Sequence, residues 1–284
     1  MSALNEIKER IGSVRSTLKI TSAMKLVASS KLHKAQMAIE AVRPYERTLE
    51  DILSVVDRYR SAEEVPTRTS DAPVAVVALS SNSSLCGAFN SNVIHKTVEA
   101  CDECSSVKLF SVGRKMAEAM NKLGHASEAD YSDIVGKPDY SKSAALASEL
   151  MRRYSAGEFS RVLLVYNRFV SASSQVPVVE QYLPYTVPST GDPDTYKTIN
   201  DDFIFEPDPA SLAERMIPYL LSMKLHAAVL DSVAAEHAAR TIAMQTASEN
   251  AERLLSDLTL EYNKGRQEKI TSEILDLESG ESGE

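Results

Sequence analysis

The sequence predicts an α/β protein in which a central, mostly parallel sheet domain lies between two long terminal helices that pair as an antiparallel coiled coil. Two observations predict it. Each end of the chain holds a long stretch without helix breakers, with apolar residues spaced alternately three and four apart. Between the ends, short β-branched runs alternate with helix-like stretches. The charge also divides by segment. Residues 1–50 carry nine Lys/Arg and five Asp/Glu, whereas residues 210–284 carry seven and thirteen.

The first helix is expected over residues 4–56, within a segment 1–60. Between Gly12 and Pro44 lie 31 residues without Gly or Pro, about 45 Å of helix. Leu4, Ile7, Ile11, Val14, Leu18 and Thr21 form its seam. The last helix is expected over residues 210–277, within a segment 209–284. Between Pro218 and Gly265 lie 46 residues without a breaker, about 70 Å of helix. Its seam begins Leu220, Met223, Ala227 and continues through His237, Thr241, Met244 and Ser248 to Tyr262. The middle of that seam is small or polar, so two helix axes can approach closely there. A pattern this long suggests a coiled coil rather than a helix wrapped around a globule.

The middle segment, 70–208, has strand-length runs at 73–79 (PVAVVAL), 107–112 (VKLFSV) and 161–165 (RVLLV). A fourth run, 175–183, is expected to pair with the third. Helices are expected at 89–100, 114–123 and 141–154. Strand and helix in alternation predict a Rossmann-like domain. Residues 183–209 hold five of the eleven prolines and read as an irregular connection.

Composition sets limits. The 284 residues are 43% hydrophobic and 25% charged, enough for a substantial core. A net charge of −9 argues against a general nucleic-acid binder, which needs a basic surface. The first twelve residues have no apolar core of a secretory leader, and no apolar run approaches a membrane span. With only Cys86, Cys101 and Cys104, the expected setting is reducing and cytoplasmic.

Signs of catalysis are weak. No phosphate-binding glycine loop and no nucleophile elbow occur. The loop SSNSSLCGAFN, 80–90, follows the first strand, where α/β folds often bind ligands, yet it has one glycine and no nearby cation. It is a structural turn or, on the enzyme reading, a ligand site. Cys101-x-x-Cys104 lacks the further ligands of a zinc site, and His33, His95, His125, His226 and His237 show no metal spacing. No cofactor is expected. A plain coiled-coil scaffold that self-dimerises is a third reading of the same seams.

Three stretches then carry a resemblance. ITSAMKLVASSKLHKAQ, 20–36, is similar to the N-terminal helix motif of the γ subunits of F-type ATP synthases. The C-terminal stretch 236–274 matches that family through AARTIAM, ASENA, LTLEYNKGRQ and ITSE. SLCGAFN resembles the family's central G-L-C-G-x-F-N, with Ser84 in place of the first glycine; Glu281 stands where alanine is usual. The resemblance covers both ends closely and the middle more loosely.

The resemblance implies a non-catalytic rotor shaft, bacterial in type, that couples proton flow through a c-ring to ATP synthesis or hydrolysis in a ring of three α and three β subunits. It implies the α, β and ε subunits and the c-ring as partners. It also implies a foot within the central domain and a peripheral place at the cytoplasmic face of the bacterial inner membrane. By motif match, Met24, Lys25, Arg266, Gln267 and Thr271 are rotor–stator contacts. Ile270, Ile274, Leu275 and Leu277 form an apolar tip in its bearing.

Overall fold

The computed structural model describes residues 3–59, 72–186 and 204–281. Its elements run α1 (Ala3–Tyr59), β1 (Val74–Leu79), α2 (Phe89–Asp102), β2 (Val107–Val112), α3 (Arg114–Lys122) and β3 (Ser127–Asp130). They continue α4 (Ser132–Gly136), α5 (Tyr140–Ser155), β4 (Arg161–Ser171), β5 (Ser174–Leu183) and α6 (Pro209–Glu281). The fold class is the expected one. The chain divides into two compact units, residues 1–29 with 240–284, and residues 30–239. Among the described residues no helix is long and apolar enough to cross a membrane.

In the larger unit the sheet has the order β3-β2-β1-β4-β5. β1 pairs in parallel with β2 and β4, and β2 with β3; the edge strand β5 pairs with β4, as expected of the fourth run, and the structure adds that it runs antiparallel. A strand covered on both faces reads as a continuous apolar run, and β1 is buried along its whole length. Its alternate residues serve opposite cores. Val74, Val76 and Ala78 face α2 and α3, with Val93, Met116 and Met120. Ala75, Val77 and Leu79 join Leu146, Ala147 and Leu150 of α5 and Leu221, Leu225 and Val229 of α6. A separate cluster joins Leu53 and Val56 of α1 to Ala213 and Leu220 of α6.

Both long helices run through a proline, as their expected bounds 4–56 and 210–277 imply. Pro44 lies inside α1 and Pro218 inside α6. A proline within a helix removes one backbone hydrogen bond and crowds the carbonyl four residues earlier. At both places a hydroxyl four residues on donates to the proline's own carbonyl: Thr48 to Pro44 at 2.9 Å, and Ser222 to Pro218 at 2.9 Å. Burial of the flanking apolar face outweighs the local cost, as tertiary packing commonly does. β3 and α4 have no counterpart in the sequence reading.

The loop 80–90 is absorbed by the fold. Ser80 Oγ accepts from the Met116 amide at 2.8 Å, Asn82 Oδ1 from the Arg114 amide at 3.0 Å, and Asn82 Nδ2 donates to the Ser132 carbonyl at 2.8 Å. Asn90 Oδ1 accepts from the Ser81 amide at 3.1 Å. These polar groups satisfy the start of α3 and the approach to α4, as unpaired helix-terminal amides require.

A cleft of about 540 Å³ in the same unit holds paired charges, among them Arg43, Glu46, Glu50, Lys224 and Asp231. Arg43 meets Asp231 at 3.1 Å; Lys224 meets Glu50 at 2.6 Å and Glu46 only at 4.0 Å. Burial raises the Glu46 carboxyl above its ordinary range, Lys224 offsets part of that, and Glu50, Asp231 and Glu180 add to it. Burial likewise raises Asp231 against the pull of Arg43. A carboxyl raised by folding stabilises most when protonated; that contribution is complete below the unfolded pKa and is lost as pH rises through the folded one. Glu46→Gln, which leaves Lys224 on Glu50, is therefore expected to raise the melting temperature at pH 7 by about 1–3 °C and not at pH 4. Thermal melts at both pH values check it; a drop at pH 7 would contradict it.

Candidate functional site

The smaller unit consists of the beginning of α1 and the end of α6. Within it the two helices run antiparallel. Leu4 lies against Gly265, where an added Cβ would meet Leu4 Cδ2 at 3.1 Å. Thr21 is bonded to Ser248 at 2.8 Å, and Lys25 Nζ donates to Gln245 Oε1 at 2.7 Å. Along α1 the seam residues Leu4, Ile7, Ile11, Val14 and Leu18 are half-buried and Thr21 is buried, while their neighbours are largely exposed. On α6, Met244, Ser248, Ala251 and Leu258 are buried and Thr241, Leu255 and Tyr262 half-buried. The seam read from spacing is the contact seam.

Away from the seam, large apolar side chains point outward. Ile20, Leu26 and Val27 are exposed on α1, and Ile242, Leu254 and Leu260 on α6. Scattered exposed apolar residues are ordinary, but a helix pair that carries them on several sides offers surface to other chains.

The expected contact residues fall at two levels. Met24 and Lys25 are half-buried on α1, near Gln245 of α6. Arg266 and Gln267 are exposed on α6, next to the level of Leu4. About 30 Å of helix separates Gln245 from Arg266, so the two groups are not brought together. The Thr271 hydroxyl is spent on the Gln267 carbonyl at 2.9 Å.

Beyond that level α6 runs past the described start of α1, to Glu281. Ile270, Ile274 and Leu275 lie on this overhang, 42%, 53% and 58% exposed. The Leu277 side chain lies outside the described residues. Apolar residues on a helix that overhangs its partner have no cover from the described part of α1.

Gln245 and Ser248 were not singled out as bonding partners in the sequence. Their signal was present in outline: Thr21 and Ser248 are polar positions in otherwise mostly apolar or small seams. Which polar position faces which depends on the register, and the structure supplies it. Among the described residues no group of three or more His, Cys, Asp or Glu could hold a metal ion. Burial pushes the Cys101 thiol up to about 11, so it is a poor nucleophile at neutral pH.

Comparison with known proteins agrees with this architecture. The ATP synthase family model matches residues 3–283. The ATP synthase gamma chain of Phocaeicola vulgatus is 46% identical over 99% of both chains, and that of Bacteroides thetaiotaomicron 44% identical over 99% of both. The gamma chain of Anaeromyxobacter sp. (strain Fw109-5) is 38% identical over 99% of this chain and 98% of its own length. Among solved structures, a chain of the Euglena gracilis mitochondrial ATP synthase rotor matches with a TM-score of 0.63 at 20% identity, over 94% of this chain and 98% of that one. A chain of the Tetrahymena thermophila mitochondrial ATP synthase central stalk and c-ring matches with a TM-score of 0.59 at 23% identity, over 81% of this chain and 99% of that one. The structural likenesses show the fold; the sequence relatives show more, and the chain belongs to the ATP synthase gamma-chain family, the central-stalk subunits of the rotary F-type enzyme.

Proposed function

We propose that this chain is the non-catalytic rotating shaft of its complex, turning as a body while the chemistry of ATP proceeds on the subunits around it. The observation that carries the reading is the antiparallel helix pair of the smaller unit, with apolar side chains on its outer faces and an overhanging tip. A shaft needs stiffness against twist, which two packed helices supply. It needs faces that differ from one another, which α1 and α6 supply. It also needs contacts that are made and released, which scattered apolar groups and a few charges suit better than a large hydrophobic interface.

On this reading the helix pair is seated among α and β subunits, and the central domain with its foot meets ε and a c-ring at the cytoplasmic face of the bacterial membrane. The working division of the chain is an N-terminal helix 1–60, a central domain 70–208, and a C-terminal helix with acidic tail 209–284. Lys25 offers an ammonium with further donors beyond the one given to Gln245. Arg266 and Gln267 offer a guanidinium and an amide suited to carboxylate and carbonyl groups of surrounding loops. Ile270, Ile274, Leu275 and Leu277 seat the tip in an apolar bearing.

The test is Arg266→Ala with Gln267→Ala in the assembled complex. Both residues are exposed, so folding is expected to be unchanged. Ion-driven ATP synthesis is expected to fall by about 5-fold or more, the loss of one or two charge-assisted hydrogen bonds. Unchanged synthesis in a correctly assembled complex would overturn the assignment of these residues.

A further inference from the structure

Thr21 and Ser248 form a polar rung in the seam of the helix pair, 8% and 7% exposed. Their oxygens lie 2.8 Å apart. Thr21 Oγ1 can give its single proton either to the Leu18 carbonyl at 3.1 Å or across the seam to Ser248. Ser22 Oγ stands at 3.5 Å from the same serine oxygen. About one helical turn away, Lys25 Nζ donates to Gln245 Oε1, and Gln245 Nε2 in turn bonds Glu249. The nearest buried seam neighbours, Ala28, Met244 and Ala251, are small or unbranched. Such side chains interlock weakly and leave one helix freer to slide along the other. A directional bond does not permit that slide.

We propose that the Thr21–Ser248 hydroxyl pair is the register pin of the helix pair: it fixes the axial and rotational phase of α1 against α6, and Ser248 is a positioning residue for the coupling of rotation to ATP synthesis. Buried polar pairs in coiled-coil seams are known to set register at some expense of stability. Twisting a two-helix rod shears its helices past one another, and the pin resists that shear where the seam is otherwise smooth. The functional half of the proposal rests on the shaft reading; the register half does not.

The Leu18 carbonyl beside Thr21 makes a clean test possible. Ser248→Ala removes the cross-seam partner but leaves the Leu18 carbonyl in reach of the Thr21 proton, so no buried donor is orphaned. The melting temperature of the full-length chain is expected to stay the same or rise. Register is read in the isolated full-length chain as the rate of disulfide formation in Leu18→Cys/Ala251→Cys, a seam pair one turn from the pin. With Ser248→Ala the rate is expected to fall about 5-fold, the value of one hydrogen bond expressed as a population. Ion-driven synthesis in the assembled complex is expected to fall similarly while ATP hydrolysis continues. The pair Thr21→Ser/Ser248→Thr, which keeps both hydroxyls, is expected to restore both readouts. Cross-linking at the unsubstituted rate in Ser248→Ala, or failure of the hydroxyl-preserving pair to restore it, would overturn the pin. An altered cross-linking rate with unchanged synthesis would leave the register half standing and overturn the coupling half.

Discussion

Replacing Gly113 by alanine is expected to destabilise the central domain by about 3 kcal/mol or more, a fall in melting temperature of roughly 10 °C. Gly113 sits between β2 and α3 with φ at +121°, a backbone conformation that side chains with a Cβ rarely adopt. An alanine Cβ there would stand 2.3 Å from the Ser80 carbonyl oxygen and 2.7 Å from Ser80 Oγ. Both are backbone or tightly bonded atoms. The Ser80 amide donates to the Val112 carbonyl at 2.9 Å, and Ser80 Oγ accepts from the Met116 amide at 2.8 Å. Any shift of Ser80 that makes room therefore disturbs both the end of the β1–β2 pairing and the start of α3. Calorimetry of the full-length chain checks it. A Gly113→Ala chain that melts within a degree of the parent would show that the close approach relaxes without cost.

Phe110→Ala is expected to cost about 3–5 kcal/mol. The ring is fully buried on β2, 5.8 Å from Phe159 in an edge-to-face arrangement and 6.2 Å from Tyr131. The Arg153 guanidinium lies 5.2 Å from its centre and 4.8 Å from that of Phe159. Arg153 is itself tied to Glu158 at 2.8 Å, Glu128 at 3.2 Å and Glu149 at 3.7 Å. Truncation removes the ring's transfer energy, opens a cavity and takes away one of the two aromatic faces beside the cation. Neighbours pinned by three ion pairs have little freedom to collapse into the gap. In urea the unfolding midpoint is expected to drop with an unchanged slope, and Phe110→Leu to lose about half as much. A loss near zero for alanine would mean that the core here repacks.

The periodic elements were the legible ones. Spacings of three and four gave both long helices, because a seam buried against one partner must repeat at that interval. The runs VAVVAL, VKLFSV and RVLLV gave three strands, because strands covered on both faces are apolar throughout. β3 escaped because its residues, SEAD, are exposed or half-buried and form no apolar run. It exists by pairing with β2, helped by the Ser127 hydroxyl accepting from the Ser111 amide. The candidate site was legible in part. The motif residues could be named, but their levels could not. That Lys25 lies beside Gln245, and that Ile270 and Ile274 lie on an overhang, both follow from the register of α1 on α6. One seam read alone does not contain that register.

As a shaft, this chain must sit within a ring of α and β subunits. The most direct measurement is co-expression with the α and β subunits of the same source, followed by purification and an ATPase assay against the chain alone. The expected result is a stable assembly holding a single copy of this chain, with hydrolysis by the assembly and none by the isolated chain. A chain that remains separate from α and β, or that turns over ATP by itself, would contradict it.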